Sequence, residues 1–369
     1  MRYLSLFLIL IVSASFYTFA EKNESNALTE VQTVDIDGTF FSTPVYTVNG
    51  NIIIASHNKH IYFFDRQGSL VSDYKTGGWV HATPNVLKDS LVGIGSYDGK
   101  FYFFDENGNY LCHIKPGGRI FTEPVEIGDH IAFGSTNGRI IFYDAEADEV
   151  SKVRGRRMVH GSPMVTSDSI LIIGSNSKKL YFVNGEQEIT HTYKTKGWIM
   201  HSKPYETQDG NIIIGSYDKN LHAIDKAGNL LWKFKTGGRI HGSPIQTKDG
   251  TIIFGSFDKH IYVLSSKGEL VNKIETGKRV VSSASVVNDS TVVIGSYDNN
   301  LYFLDNFGNL INTYNAEGKI FSSPITLPCG TVFCCTTKGK MSFLPPYVVN
   351  ELLSSSKNNS VAVIENTED

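Results

Sequence analysis

The chain reads as an all-β protein, an eight-bladed β-propeller of four-stranded blades. Three observations predict this. A Ser/Thr/Glu/Lys-Pro element recurs at Pro44, Pro84, Pro124, Pro163, Pro204, Pro244 and Pro324, with Ala284 in the remaining slot, at intervals of 39 to 41 residues. A second marker keeps the same beat at Ser56, Ser96, Ser135, Ser175, Ser216, Ser256, Ser296 and Thr336. Between Val31 and Leu344 no helical periodicity of useful length interrupts these units. Four strands in about 40 residues is the rhythm of a propeller blade, and repeats that stack on one another form one body whatever the chain length suggests.

The unit holding Pro244 shows how each blade is assigned. Its first strand is expected over Ile240 to Gln246, followed by a turn at Lys248-Asp249-Gly250. The second, Thr251 to Ser256, is continuously apolar, as a strand buried on both faces must be. A tight turn at Asp258-Lys259 leads to the third, His260 to Leu264. The fourth, Glu269 to Glu275, alternates apolar and charged residues and reads as an outer edge guarded by Lys273 and Glu275.

The chain ends decide between a closed ring and a solenoid of hairpins. The last unit supplies strands near Ile320 to Thr326, Thr331 to Thr336 and Lys340 to Leu344, and then meets Pro345-Pro346. Its fourth strand is missing. Val31 to Asp37 is a fourth strand without a unit of its own, so the N-terminal strand is expected to complete the eighth blade. The predicted organisation is a signal segment at 1–20, a polar disordered leader at 21–30, the propeller at 31–346 and a tail at 347–369 that starts with a short helix over Tyr347 to Ser354.

Composition narrows the partners. The 369 residues carry a formal charge of −3 and 41% hydrophobic residues, enough for a large core, and no basic block points to nucleic acid. Arg2, the apolar run Leu4 to Val12 and Thr18-Phe19-Ala20 have the order of a cleaved secretory signal, and no other segment is apolar and long enough to span a bilayer. Export, to a periplasm, a cell surface or the medium, permits disulfides. The four cysteines, Cys112, Cys329, Cys334 and Cys335, match no zinc spacing. Cys334 and Cys335 read as packed thiols on opposite faces of one strand, with a Cys329–Cys334 bridge as the alternative. Sequons stand at Asn23, Asn288 and Asn358.

Segments such as Gly215 to Gly238 (GSYDKNLHAIDKAGNLLWKFKTGG) resemble the PQQ-like repeat of quinoprotein dehydrogenases and their relatives. The resemblance runs from about Val31 to Leu344 and implies an eight-bladed propeller. That repeat carries a blade-docking Trp near its end. Here only Trp232 holds the place clearly, with Tyr74, Ile114, Val153, Tyr193, Ile274 or Tyr314 near it in other units. The plan is also similar to the propeller subunit of the bacterial outer-membrane assembly machinery, a resemblance that implies a non-enzymatic, protein-binding role. The enzymes of the family hold PQQ beside calcium, using insertions for which these intervals leave almost no room.

The candidate site is the channel mouth. The link entering each first strand carries Thr39, Trp79, Arg119, Arg156-Arg157, Trp198, Arg239, Arg279 and Lys319. Three residues before each Pro slot stand Phe41, His81, Phe121, His160, His201, His241, Val281 and Phe321. Guanidinium forks and flat rings suit an anionic or aromatic ligand. The competing reading is that these side chains pack at blade junctions and cap carbonyls. A metal on the four histidines would need adjacent blades to cooperate, since equivalent positions around the channel are far apart against a zinc–nitrogen bond of about 2 Å. The turn residues Asp98, Asp218, Asp258 and Asp298 read as hairpin chemistry, with pairing to the mouth arginines open. No nucleophile elbow, metalloprotease helix or phosphate loop is present in the sequence. The leading expectation is a non-catalytic scaffold holding a protein segment or an anionic ligand. A PQQ-dependent dehydrogenase of alcohols or sugars, and a glycan binder using Trp79 and Trp198, are the alternatives.

Overall fold

The computed structural model describes residues 30–359, with side chains to residue 354. The predicted signal segment, the leader up to residue 29 and the tail from residue 360 lie outside the described residues. Eight four-stranded antiparallel sheets follow one another along the chain. The eighth is built from Ile325–Thr326, Val332–Cys335 and Lys340–Leu344, and its outermost strand is the N-terminal Gln32–Asp35. Val34 pairs with Met341 in that closing ladder, and the Ile36 N–H donates to the Gly339 carbonyl at 3.0 Å.

Each blade grades from dry to wet. The second strands, such as Ile212–Gly215 and Val332–Cys335, are buried throughout. The third strands are buried after their first residue, as in His60–Phe64. The outer strands alternate, as in Leu230–Lys235, which keeps charge on the exposed edge. The inner strands are shorter than expected. Only Ile245–Gln246 pairs in the sixth blade, because the preceding Pro offers no N–H and the link before it bonds to the fifth blade instead, Ile240 N–H to the Ser216 carbonyl.

The two sequence markers have one physical cause. The residue before each Ser marker is Gly in six blades, and each of these glycines receives a β-branched side chain from the link of the next blade. A Cβ on Gly95, Gly134, Gly174, Gly215, Gly255 or Gly295 would lie 2.2 to 2.7 Å from Ile120, Val159, Ile199, Ile240, Val280 or Ile320. The same link residue donates its N–H to the Ser carbonyl, for example Ile240 to Ser216 at 3.3 Å and Val280 to Ser256 at 3.0 Å. Two residues before the Pro slot, buried hydroxyls lock the link to its own second strand, as Ser42 does on Ala55 and, ahead of Ala284, Ser282 on Gly295. Where the eighth blade meets the first, Phe40 and Cys335 share one apolar cluster instead.

Two local expectations change, and the cysteines follow theirs. Strand register places Ser72, Cys112, Ser151, His191, Asn272 and Asn312 opposite the third strand where Trp232 sits, not the aromatic and aliphatic residues two positions later. These side chains reach the next blade: Ser72 Oγ donates to Gly108 O at 3.3 Å, Asn272 Nδ2 to Gly308 O at 2.9 Å, and the Trp232 ring lies on Gly268. The C-terminal helix is longer than expected, Pro346–Asn359, and Asn312 Nδ2 donates to Leu352 O at 2.9 Å, so the helix stands in for the turn that the eighth blade lacks. All four cysteines are free, and Cys334 and Cys335 enter separate apolar clusters. Burial pushes the Cys334 thiol up to about 12, which disfavours a reactive thiolate there. Asn288 ends an inner strand and is exposed.

Ile240 is fully buried in its notch. Ile240→Ala should cost about 2–5 kcal/mol by leaving a cavity, and Gly215→Val about 1–3 kcal/mol by overfilling the same space. The double variant should recover part of both losses, measured as the interaction energy of a double-mutant cycle in denaturant unfolding.

Candidate functional site

The links and the turns between second and third strands lie on one face of the ring, and backbone bonds set their register. The residue after each Ser marker donates its N–H to a link carbonyl: Tyr97 to Trp79 at 2.9 Å, Thr136 to Arg119 at 2.9 Å, Phe257 to Arg239 at 2.9 Å and Thr337 to Lys319 at 2.8 Å. In the fourth blade the partner of Asn176 is Met158, at 2.9 Å. Arg157 therefore stands one position before the slot expected for it, because Val159 is the residue that fills the Gly134 notch.

This register stacks five of the eight link side chains over the turn ring of the blade before them. Trp79 lies parallel to His57 with centroids 5.1 Å apart. Arg119 covers Tyr97 at 5.8 Å, Arg239 covers Tyr217 at 5.2 Å, Arg279 covers Phe257 at 5.1 Å and Lys319 covers Tyr297 at 6.0 Å. Arg279 also lies 4.3 Å from the Tyr297 ring. Burial pushes the Tyr97 and Tyr217 hydroxyls up to about 12 against the opposing pull of the neighbouring guanidinium groups. Trp79 and Trp198 remain 50% and 44% exposed.

None of Arg119, Arg157, Arg239, Arg279 and Lys319 forms an ion pair among the described residues. The nearby turn aspartates are already committed. Asp98 accepts from Gly77 N at 2.9 Å and Tyr102 Oη at 2.5 Å, Asp258 from Gly237 N at 2.6 Å and Tyr262 Oη at 2.7 Å, and Asp298 from Gly277 N and Tyr302 Oη, both at 2.7 Å. Asp218 takes Lys196 N at 2.9 Å and pairs with His222 at 3.1 Å. They are hairpin and blade residues, and the mouth cations keep their charge for something else.

Beneath the rim the channel is filled. The expectation that His81, His160, His201 and His241 stand far apart is corrected by the narrowness of the channel at this level. Ring centroids are 4.9 Å apart for His81 and His201, 4.4 Å for His160 and His201, and 4.5 Å for His201 and His241. Phe41, Phe121 and Phe321 complete the rosette, with Phe121 4.5 Å from His160 and Phe321 5.1 Å from His241. His57 Nε2 lies 2.8 Å from His81 Nδ1, while His81 Nε2 and His160 Nδ1 are buried without a partner. Among the described residues no three His, Cys, Asp or Glu side chains are arranged to hold a metal ion.

Burial holds these rings neutral: His57 and His160 are lowered to about 4 and His241 to about 3, with neighbouring charge adding for His241. His81 and His201 fall well below 6.5, first by burial and then by the other histidines.

Below the rosette the residue before each Pro slot forms a second ring. Backbone N–H groups donate to the hydroxyl one blade on, Lys203 to Ser243 at 2.9 Å, Ser243 to Ser283 at 2.8 Å, Ser283 to Ser323 at 3.0 Å, Ser323 to Thr43 at 3.3 Å and Thr43 to Thr83 at 3.1 Å. Lys203 Nζ and Glu123 Oε1 bridge the remaining arc at 2.7 Å. The space left between rosette and hydroxyls is about 60 Å³.

Sequence reasoning missed His57 and the rings of Tyr97, Tyr217, Phe257 and Tyr297 as rim residues, and the Glu123–Lys203 bridge. The signal was available: the position after each Ser marker is in phase with the links.

Known proteins add the following. The family model described as the lambda-carrageenase beta-propeller domain matches residues 205–284. No curated protein matches in sequence. Among solved structures, BamB from Moraxella catarrhalis is similar with a TM-score of 0.70 at 14% identity, covering 86% of this chain and 99% of that one. The computationally designed Ika8 protein is similar with a TM-score of 0.67 at 15% identity, covering 84% and 97%. At such identities the likeness is one of fold. Among the described residues no helix is long and apolar enough to cross a membrane.

The neutral rosette makes stability pH-dependent. Between the ordinary histidine value of 6.5 and the folded value of about 4, only the unfolded chain takes up protons, so acid favours unfolding. Stability is full above about pH 6.5 and is lost as pH falls toward 4, by at most about 1.4 kcal/mol per histidine per pH unit. The melting temperature should fall over that window, and His160→Phe should flatten the slope.

Proposed function

We propose that this protein is an exported, non-catalytic binding scaffold whose channel-mouth face holds an acidic protein segment or another anionic ligand. The observation that carries the reading is the set of five mouth cations without carboxylate partners, four of them stacked on rings. A guanidinium held over an aromatic ring is pre-ordered, and with no carboxylate partner it can still receive a carboxylate fork. The face offers charge, donors and flat apolar surface, with no acid–base pair or activated nucleophile beside them. In a bacterial host the resemblance of the repeat to the PQQ-like family, and of the plan to the envelope-assembly propeller subunit, makes envelope-protein assembly the specific role we favour.

The closed channel argues against a ligand swallowed along the axis. A space of about 60 Å³ is far below the roughly 300–1,000 Å³ of ordinary small-molecule pockets. The three fused rings and three carboxylates of PQQ do not fit there, and would have to lie on the exposed rim.

Two measurements test the reading. Residues 21–369 should bind poly-glutamate at low salt and release it as ionic strength rises. The combined variant Arg119→Glu, Arg157→Glu, Arg239→Glu and Arg279→Glu should lose that binding with an unchanged melting temperature; undiminished binding would sink the site. Calorimetric titration with PQQ, with and without calcium, should give no calcium-dependent heat. Tight calcium-dependent binding with dye reduction on alcohols or sugars would make the protein an oxidoreductase.

A further inference from the structure

The modest net charge conceals a strong separation. On the mouth face the links and second-to-third-strand turns carry sixteen Lys and Arg against seven Asp and Glu among the described residues. The turns of the opposite face carry five Lys and Arg against fifteen Asp and Glu. Such a disc approaches an anion from one side only.

The mouth face is itself uneven. Across blades five to eight the order is Tyr217, Arg239, Phe257, Arg279, Tyr297, Lys319, ring and cation by turns, with cation-to-centroid distances of 5.2, 5.1, 4.3 and 6.0 Å. Elsewhere the alternation breaks: Thr136 and Asn176 replace the turn rings of the third and fourth blades, Met158 replaces a cation, and Thr337 and Thr39 flank the closing junction. The rings of Tyr217 and Phe257 are 6.1 Å apart. Side chains on one face of an extended strand repeat every two residues, about 6.6 Å. The filled channel keeps a segment on the surface rather than threading it through.

We infer that blades five to eight form a linear subsite for an extended acidic polypeptide with a carboxylate at every second residue, the carboxylates meeting Arg239, Arg279 and Lys319 while the backbone lies along the rings of Tyr217, Phe257 and Tyr297. This rests on the proposed scaffold reading and deepens it. A carboxylate on a guanidinium that has no other carboxylate partner gains charge-assisted hydrogen bonds, and an extended segment crosses three blades without folding first. A helical acidic segment shows a face with three- and four-residue spacing and does not match.

The experiment uses residues 21–369 and two synthetic peptides of equal length and charge, one with Glu alternating with Thr, the other with the same Glu residues in a single block. Fluorescence anisotropy at low salt should show the alternating peptide binding about tenfold or more tighter, a difference of about 1.4 kcal/mol. Arg239→Gln with Arg279→Gln and Lys319→Gln should remove that preference and weaken binding at least tenfold. Lys248→Gln with Lys267→Gln, on the opposite face, should leave it intact. Equal affinity for the two peptides, or loss of binding in Arg119→Gln with Arg157→Gln but not in the blade six-to-eight variant, would overturn the linear subsite and leave the cationic-face reading standing. Failure of every variant to change peptide binding would overturn both. Tighter binding to vesicles rich in anionic lipid than to either peptide would assign the face to a membrane surface and overturn the proposal.

Discussion

A β-branched side chain pressed into a glycine notch is the contact on which this structure depends. It recurs at six blade junctions, from Ile120 on Gly95 to Ile320 on Gly295. A notch without a Cβ lets the link approach the second strand of the preceding blade closely, and the link N–H then reaches the Ser carbonyl. Packing and hydrogen bonding thus fix one geometry together. Because the contact is always between one blade and the next, the ring is held by nearest neighbours, and its closure has to come from the chain ends. Gln32–Asp35 supplies the last outer strand, and Ser323 N–H reaches Thr43 across the same seam.

The notch also explains why the mouth looks as it does. Once Ile240 or Val280 is seated, the residue before it projects over the turn of the preceding blade, and the residue after it points into the channel. The first position is the stacked rim of Trp79, Arg119, Arg239, Arg279 and Lys319. The second is the rosette of His81, His160, His241 and their phenylalanine neighbours, which His201 joins from a link one residue longer, two positions after Ile199. One contact therefore builds two layers of opposite character: an exposed cationic rim, and a dry plug whose imidazoles burial keeps neutral. The turn aspartates satisfy their own blades, so rim charge is not cancelled from within. Acidic turns collect at the other ends of the strands, and a chain of nearly neutral formal charge becomes a disc with two unlike faces.

Much of this is legible in the residues. The spacing of Pro and Ser markers carries the blade count, and the orphan strand at Val31 to Asp37 carries the closure. The rim cations and the inward histidines fall in phase with those markers. Other features were hidden. Arg157 misses its slot by one residue, because Met158 holds that place and Val159 fills the notch beside it. The equivalents of Trp232 are small or polar residues such as Ser72 and Asn272, found through strand pairing and not through hydrophobicity. His57 is unremarkable in sequence until Trp79 lies on it.

The sequence by itself determined the architecture, because a propeller is a local repeat and each blade's strands, turns and notch are written within about 40 residues. It also determined which residue types reach the mouth. Only the tertiary structure decided how they meet. Side chains eighty residues apart, Glu123 and Lys203, bridge across the channel, and imidazoles from four blades converge where the ring narrows. Whether a mouth arginine is free depends on what the neighbouring aspartate already holds, and that is a matter of distances between chain segments that no spacing along one chain records.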